Sequence, residues 1–263
     1  MSSACSGVVV ERDARWTVRV GDADREADVH LPPAYDGRRA LPLVLSLHAL
    51  GSSAALQATY TGLGETADEA GFVLVHPEGI GASWNAGIGC CGAALAAASD
   101  DIGFIAALLD RLESELCVDR ARAYVVGMSN GGYMTHRVAC ELSSRLAAVA
   151  SVAGIDATAE CEPESPISLL QIHGTSDTVV PYASAVRSVA SWRDRNGCAE
   201  SPTLLSDEGG ARCESWSCER DTEVVGCSLL GSIHVWPGGL ASPAALDANE
   251  VIWDFFQRHS RAR

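Results

Sequence analysis

The chain contains no lysine: all nineteen of its basic residues are arginine, set against thirty-four acidic residues, for a formal net charge of −15 over 263 residues. That balance excludes a nucleic-acid or anionic-membrane partner, because both demand a surplus of positive charge. No apolar run approaches the ~20 residues of a membrane span. No glycine- or proline-rich linker, low-complexity tract or long internal repeat divides the chain, so one domain over 1–263 is expected. No C-x-x-C pair occurs, which argues against a zinc site, and no motif calls for any other metal or a cofactor. The opening "MSSACSG" lacks both a basic and an apolar region. The expectation is a secretion signal removed ahead of it, with lipid attachment at Cys5 the weaker alternative.

Cysteine, by contrast, is plentiful. Ten cysteines in a chain of this size read as a disulfide framework and an extracellular, oxidising compartment. Alternating runs at Trp16–Val20 and Glu26–Leu31, joined by "GDAD", predict an antiparallel hairpin. Strand-length apolar runs then alternate with helical patterns. The strands are Leu41–His48, "FVLVHP" from Phe72, "AYVVG" from Ala123, "AAVASVAG" from Ala147 and "SLLQIHG" from Ser168. The helices are Ser99–Leu116, "YASAVRSVASWRDRNG" and "SPAALDANEVIWDFFQRH". Runs apolar on both faces suit a mostly parallel sheet covered by helices on each side, an α/β fold. Cys213–Cys218 and Val224–Leu230 predict a second hairpin, and the long loop His76–Ser99 departs from the rhythm, as functional loops do.

"VVGMSNGGY" sets Ser129 between Gly127 and Gly131, after a strand and before a helix. On such a turn the serine is strained, its flanking glycines must be small, and its hydroxyl stands above the sheet edge at a helix N-terminus. A serine nucleophile needs a base and an orienting carboxylate, which in this order of elements follow it as acid, then histidine. His259 lies in a charged tail, whereas His234 follows an apolar strand. Asp177 follows the strand Ser168–His173, while Asp156, Asp194, Asp207 and Asp221 read as surface carboxylates in helix or hairpin turns. Elimination leaves Ser129, Asp177 and His234. The two oxyanion donors are expected from the N–H groups of Asn130 and Leu50, with His48 an anchor of the Leu50 loop rather than a second base. Activity is expected to fall below about pH 6–7, since a base histidine must be neutral.

The motifs "LHALGSS", "HPEG", "WNAGIGCCG", "DDIGFI", "GMSNGG", "HGTSDTVVPY" and "HVWPGG" together resemble the polyhydroxybutyrate depolymerase and feruloyl/acetylxylan esterase group of α/β-hydrolases, carbohydrate esterase family one. The resemblance covers nearly the whole chain. It implies the α/β-hydrolase fold and carboxylic ester hydrolysis. One departure is Ala49, where the group has glycine; a positive φ there would shift the Leu50 loop. The stretch Ile155–Ile167 is too short for a lid domain, so an open site is expected, lined by Trp84, Asn85, Tyr182 and Trp236. Trp84 and Trp236 also admit an ordinary packing role. An open, aromatic-rimmed cleft suits a polymeric ester, and the reading leans to a polyester or short-chain ester, with a feruloyl or acetylxylan esterase as the alternative. A non-catalytic polymer-binding module on the same fold is the remote one, and a monomer is expected.

For the disulfides, a hairpin turning near Arg220 sets Cys213 opposite Cys227. It frees Cys218, on the other face, to meet Cys198. Cys140 and Cys161 bracket one βα unit. Cys90 and Cys91 can close on each other, which leaves Cys5 with Cys117.

Overall fold

The computed structural model describes residues 5–7, 11–158, 160–240 and 245–261. Two antiparallel strands, Asp13–Val20 (β1) and Ala23–His30 (β2), form the first predicted hairpin, with Trp16 opposite Ala27. Eight more strands follow among the described residues: Leu41–Leu47 (β3), Val73–Pro77 (β4), Val118–Met128 (β5), Ala148–Val152 (β6), Ser168–Gly174 (β7), Thr203–Glu208 (β8), Ala211–Ser217 (β9) and Glu223–Leu229 (β10). They join one sheet in the order β1-β2-β4-β3-β5-β6-β7-β10-β9-β8. The stretch from β4 to β10 is parallel throughout, and the two ends are antiparallel.

Both faces of the parallel stretch are covered. Leu41, Leu43, Leu45 and Leu47 of β3 enter one apolar core and Val44 the other, as the two-residue strand period requires. The first core takes Phe104, Ile105, Leu108 and Leu112 from Asp101–Glu115 (α4), Met134 and Val138 from Asn130–Glu141 (α5), and Trp192 from Tyr182–Arg195 (α6). The second takes Leu63 and Ala67 from Leu63–Ala70 (α2), and Ile252, Phe255 and Phe256 from Ala248–Gln257 (α7). The apolar spacing of α4 is the one the sequence predicts, and Asp100 caps it by accepting the Gly103 N–H at 2.8 Å. Three helices, Ala54–Thr61 (α1), Leu63–Ala70 (α2) and Ala93–Ala96 (α3), lie in connections where the sequence shows no helical pattern. The α/β-hydrolase architecture is thus in place. Between β6 and β7 no helix or strand intervenes among the described residues. The segment is tied to α5 by Cys140–Cys161.

All ten cysteines are paired: Cys5–Cys117, Cys90–Cys91, Cys140–Cys161, Cys198–Cys218 and Cys213–Cys227. Cys213 and Cys227 are direct register partners on β9 and β10, and the hairpin turns through Arg220 and Asp221, both at positive φ. No helix of the described residues is long and apolar enough to cross a membrane.

Two stability predictions follow from this frame. A cross-link restricts the unfolded chain more when it closes a longer loop. Replacing Cys5 and Cys117 (112 residues apart) by serine should therefore cost about 4–5 kcal/mol, against about 3 kcal/mol for the Cys213–Cys227 pair (14 apart). Urea titrations of the two double variants check the order, and a larger loss for the short loop contradicts it. The second concerns acid. Burial holds His48, His76, His136 and His173 below the ordinary imidazole range, His76 and His136 at about 4. The unfolded chain takes up these protons first as pH falls, so stability is lost between pH 6.5 and 4. In 0.15 M salt, which screens surface repulsion, His76 and His136 should each remove on the order of 3 kcal/mol between pH 7 and 4.5. An unfolding free energy that is flat or rises over that interval contradicts this.

Candidate active site

Because β3, β5, β6, β7 and β10 run parallel, the segments that leave their C-terminal ends emerge on one edge of the sheet. Leu50 follows β3, Ser129 follows β5, Asp177 follows β7 and His234 follows β10. The topology alone therefore gathers four of the residues singled out from sequence.

Ser129 is the one-residue hinge between β5 and α5, at φ 53° and ψ −121°. Its N–H is held by the Val152 carbonyl of β6 at 2.9 Å, and its carbonyl already accepts the Tyr133 N–H of the helix at 2.8 Å. Its hydroxyl makes no capping bond and stays available, with the residue partly exposed. A Cβ on Gly127 would lie 2.2 Å from the Gly131 carbonyl oxygen, and one on Gly131 would lie 2.2 Å from the Leu47 carbonyl oxygen. Both contacts are shorter than any side chain permits, so the turn exists only with glycine at these places.

Asp177 is buried. Its Oδ1 accepts the Val179 and Val180 N–H groups at 2.8 Å each, and its Oδ2 accepts the Nδ1–H of His234 at 2.7 Å. With Nδ1 donating, the opposite His234 Nε2 is left as a proton acceptor. The His234 loop is stitched to the Asp177 loop by Ser176 N–H to the Ser232 carbonyl at 2.9 Å and Gly231 N–H to Thr175 Oγ1 at 2.9 Å.

Leu50 makes no hydrogen bond through its N–H to any described residue, and Asn130 opens a helix, where an N–H has no intrahelical acceptor. Ala49 is not among the positive-φ residues, so the departure from glycine introduces no backbone strain there. His48 anchors this loop: its Nδ1–H donates to the Ala49 carbonyl at 2.9 Å and its Nε2 accepts the Gly79 N–H at 2.9 Å.

The expected aromatic lining is corrected by the structure. Trp84 and Trp236 are fully buried. An indole carries an N–H that needs a partner, and each finds one inside the protein: Trp84 Nε1 donates to the His48 carbonyl at 2.9 Å and Trp236 Nε1 to Asn249 Oδ1 at 3.0 Å. Asn85 is half-buried and spends its N–H on Asp101 Oδ2 (2.7 Å) and its amide on the Ser99 carbonyl (2.9 Å). Asp101 in turn forms a buried ion pair with Arg25 at 2.7 Å. Tyr182, half-buried, bonds Ser228 Oγ and lines a cavity between α6 and β7, β9 and β10, to which Ser129 and His234 do not contribute.

Two features escaped the sequence. The side chain of Asn130 pins the Trp84 loop to the serine turn: Oδ1 accepts the Trp84 N–H at 2.7 Å, and Nδ2 donates to the Trp84 carbonyl at 3.1 Å and to Cys90 Sγ at 3.6 Å. Aliphatic rather than aromatic side chains are exposed in the loops of this edge: Leu50, Ile80, Ile88, Val179 and Ile233. Their position beside motif residues was the available signal, as with Val179 two residues after Asp177 and Ile233 directly before His234.

No family model matches the chain. It is 30% identical to feruloyl esterase C of Emericella nidulans over 244 residues, 88% of this chain and 83% of that protein. Among solved structures it resembles the acetyl xylan esterase from Aspergillus awamori (TM-score 0.71, 14% identity, 93% of this chain and 99% of that one). It also resembles the ferulic acid esterase from Anaeromyces mucronatus (TM-score 0.64, 18% identity, 97% and 92%). The structural likenesses establish the fold, and the sequence identity across most of both chains establishes that this protein belongs to the feruloyl and acetylxylan esterase family of α/β-hydrolases, which are carboxylic ester hydrolases.

Proposed function

We propose that the protein is an extracellular serine esterase that removes feruloyl or acetyl groups from plant cell-wall polysaccharide through an acyl-enzyme. The observation that carries the chemistry is the buried Asp177 carboxylate, 2.7 Å from His234 Nδ1, on the sheet edge where the strained Ser129 turn presents a free hydroxyl. Ser129 Oγ attacks the ester carbonyl while His234 Nε2 takes its proton. The tetrahedral oxyanion is met by the N–H groups of Asn130 and Leu50, each worth ~3–4 kcal/mol by analogy with other oxyanion donors. Collapse expels the alcohol, protonated by His234, and leaves the acyl group on Ser129. Water then attacks with the same histidine as base, and the carboxylic acid leaves. Asp177 holds the imidazole throughout and keeps its charge.

For the acyl group, the names of the relatives and the exposed aliphatic rim favour the alternative reading over the polyester lean. The aromatic-rimmed cleft expected for an ester-bearing polymer of either kind loses two of its aromatics to packing, so it gives no preference for polyester. Leu50, Ile80, Ile88, Val179 and Ile233 offer exposed apolar side chains on this edge to a hydroxycinnamoyl group or a small acetyl. The site is open because no helix or strand intervenes between β6 and β7 among the described residues, which suits a polymer carrying its esters as side groups. Five disulfides support action in an oxidising compartment, and a monomer suffices for a site drawn from one chain.

Side-by-side assays on methyl ferulate, acetylated xylan, polyhydroxybutyrate film and nitrophenyl esters should show release of ferulate or acetate and no clearing of the film. Clearing of polyester without release of either acid reverses the substrate reading. Ser129→Ala should lower kcat by at least about a thousandfold. Retention of more than about a tenth of the activity, a barrier change below ~1.4 kcal/mol, contradicts the nucleophile.

A further inference from the structure

Four buried polar side chains that take no part in the chemistry above form a chain that ends at the acid loop. Trp192 and His136 are wholly buried, and Gln171 and His173 nearly so. An indole nitrogen can only donate. Trp192 Nε1–H lies 2.9 Å from His136 Nδ1, so that nitrogen is bare and the proton of His136 is on Nε2. Nε2–H then donates to Gln171 Oε1 at 3.0 Å. This orients the amide: Gln171 Nε2 donates to the Gly154 carbonyl at 3.1 Å and to His173 Nδ1 at 3.3 Å. His173 therefore carries its proton on Nε2, which donates to the Val180 carbonyl at 2.8 Å and lies 3.4 Å from Asp177 Oδ2. One donor-only indole sets the direction of every bond. Reversing any of them would set two buried donors, or at Val180 two acceptors, against each other, at about 1–3 kcal/mol for each group left unpaired.

The far end of this chain has a consequence for the acid. The Val179 and Val180 N–H groups fix Asp177 Oδ1 to its own loop, but they do not fix that loop to the sheet. The Asp177 N–H reaches back to the Gly174 carbonyl at the end of β7 at 3.3 Å, and the His173 side chain, rooted in β7, ties the far side of the loop through Val180. We propose that His173 is a positioning residue: with its tautomer set by Trp192, His136 and Gln171, its Nε2–H locks the 177–180 loop so that Asp177 Oδ2 meets His234 Nδ1. The inference rests on the reading of Ser129, His234 and Asp177 as the catalytic set. Burial keeps both imidazoles of the chain neutral, between Asp156 and Arg195 near His136 and Asp177 and His234 near His173. A neutral His173 leaves the Asp177 charge to His234.

The experiment compares His173→Leu, which removes the donor, with His173→Gln, whose amide nitrogen can replace Nε2. On nitrophenyl acetate the leucine variant should lose about 10- to 100-fold in kcat with KM within about twofold, as a displaced catalytic group does. The glutamine variant should stay within about threefold of wild type. Equal activity of the two variants, whether both intact or both impaired, overturns the proposal. Should the leucine variant not fold, the wild-type protein decides. A long-range proton–nitrogen spectrum of the 15N-labelled enzyme should show His136 and His173 protonated on Nε2 at pH 7, and a His173 proton on Nδ1 overturns the proposal. Ser129→Ala separates the two levels. If it remains active, the catalytic set fails and this inference with it. If it is inactive while His173→Leu runs at the wild-type rate, the positioning role alone fails.

Discussion

The left-handed backbone of Ser129 is the constraint on which the rest of this molecule depends. A non-glycine residue at φ 53° and ψ −121° costs on the order of 1–3 kcal/mol and persists only where its surroundings dictate it. Here they do so from three directions. The Val152 carbonyl holds the serine N–H, Gly127 and Gly131 allow strand and helix to touch, and the Leu47 and His48 carbonyls sit where a side chain on Gly131 would go. The turn can be this tight only because β3, β5 and β6 are parallel neighbours. The same parallelism delivers the acid and histidine loops to the same edge.

The loops around that edge are fastened from below by buried polar groups. His48 closes the turn after β3, Asn130 grips Trp84, the Arg25–Asp101 pair holds Asn85 and Ser99, and Trp236 ties the histidine loop to Asn249. Each fastening leaves a donor or acceptor stranded if one member is lost, which makes the arrangement stiff. The surface above it carries exposed aliphatic side chains: Leu50, Ile80, Ile88, Val179 and Ile233.

Much of this was legible in the sequence because it follows from period and order. Runs apolar on both faces announced the parallel strands, the glycines around Ser129 announced the turn, and acid-then-histidine order singled out Asp177 and His234. Hairpin register placed Cys213 opposite Cys227. What stayed hidden has physical reasons. An aromatic beside a motif residue looks the same whether it faces substrate or core, so Trp84 and Trp236 read as lining when they are fasteners. β8 is exposed along its whole length and leaves no burial pattern to read. The Trp192–His136–Gln171–His173 chain joins four residues by donor and acceptor direction, which no spacing encodes.

The central claim is that the strained turn makes Ser129 the reactive hydroxyl. The most direct measurement is covalent: treat the native enzyme with a serine-directed fluorophosphonate, digest it, and locate the adduct by mass spectrometry. The account predicts one adduct per chain, on the peptide bearing Ser129, formed as activity is lost and absent after prior unfolding. An adduct at another serine, or full activity after Ser129 is modified, would contradict it.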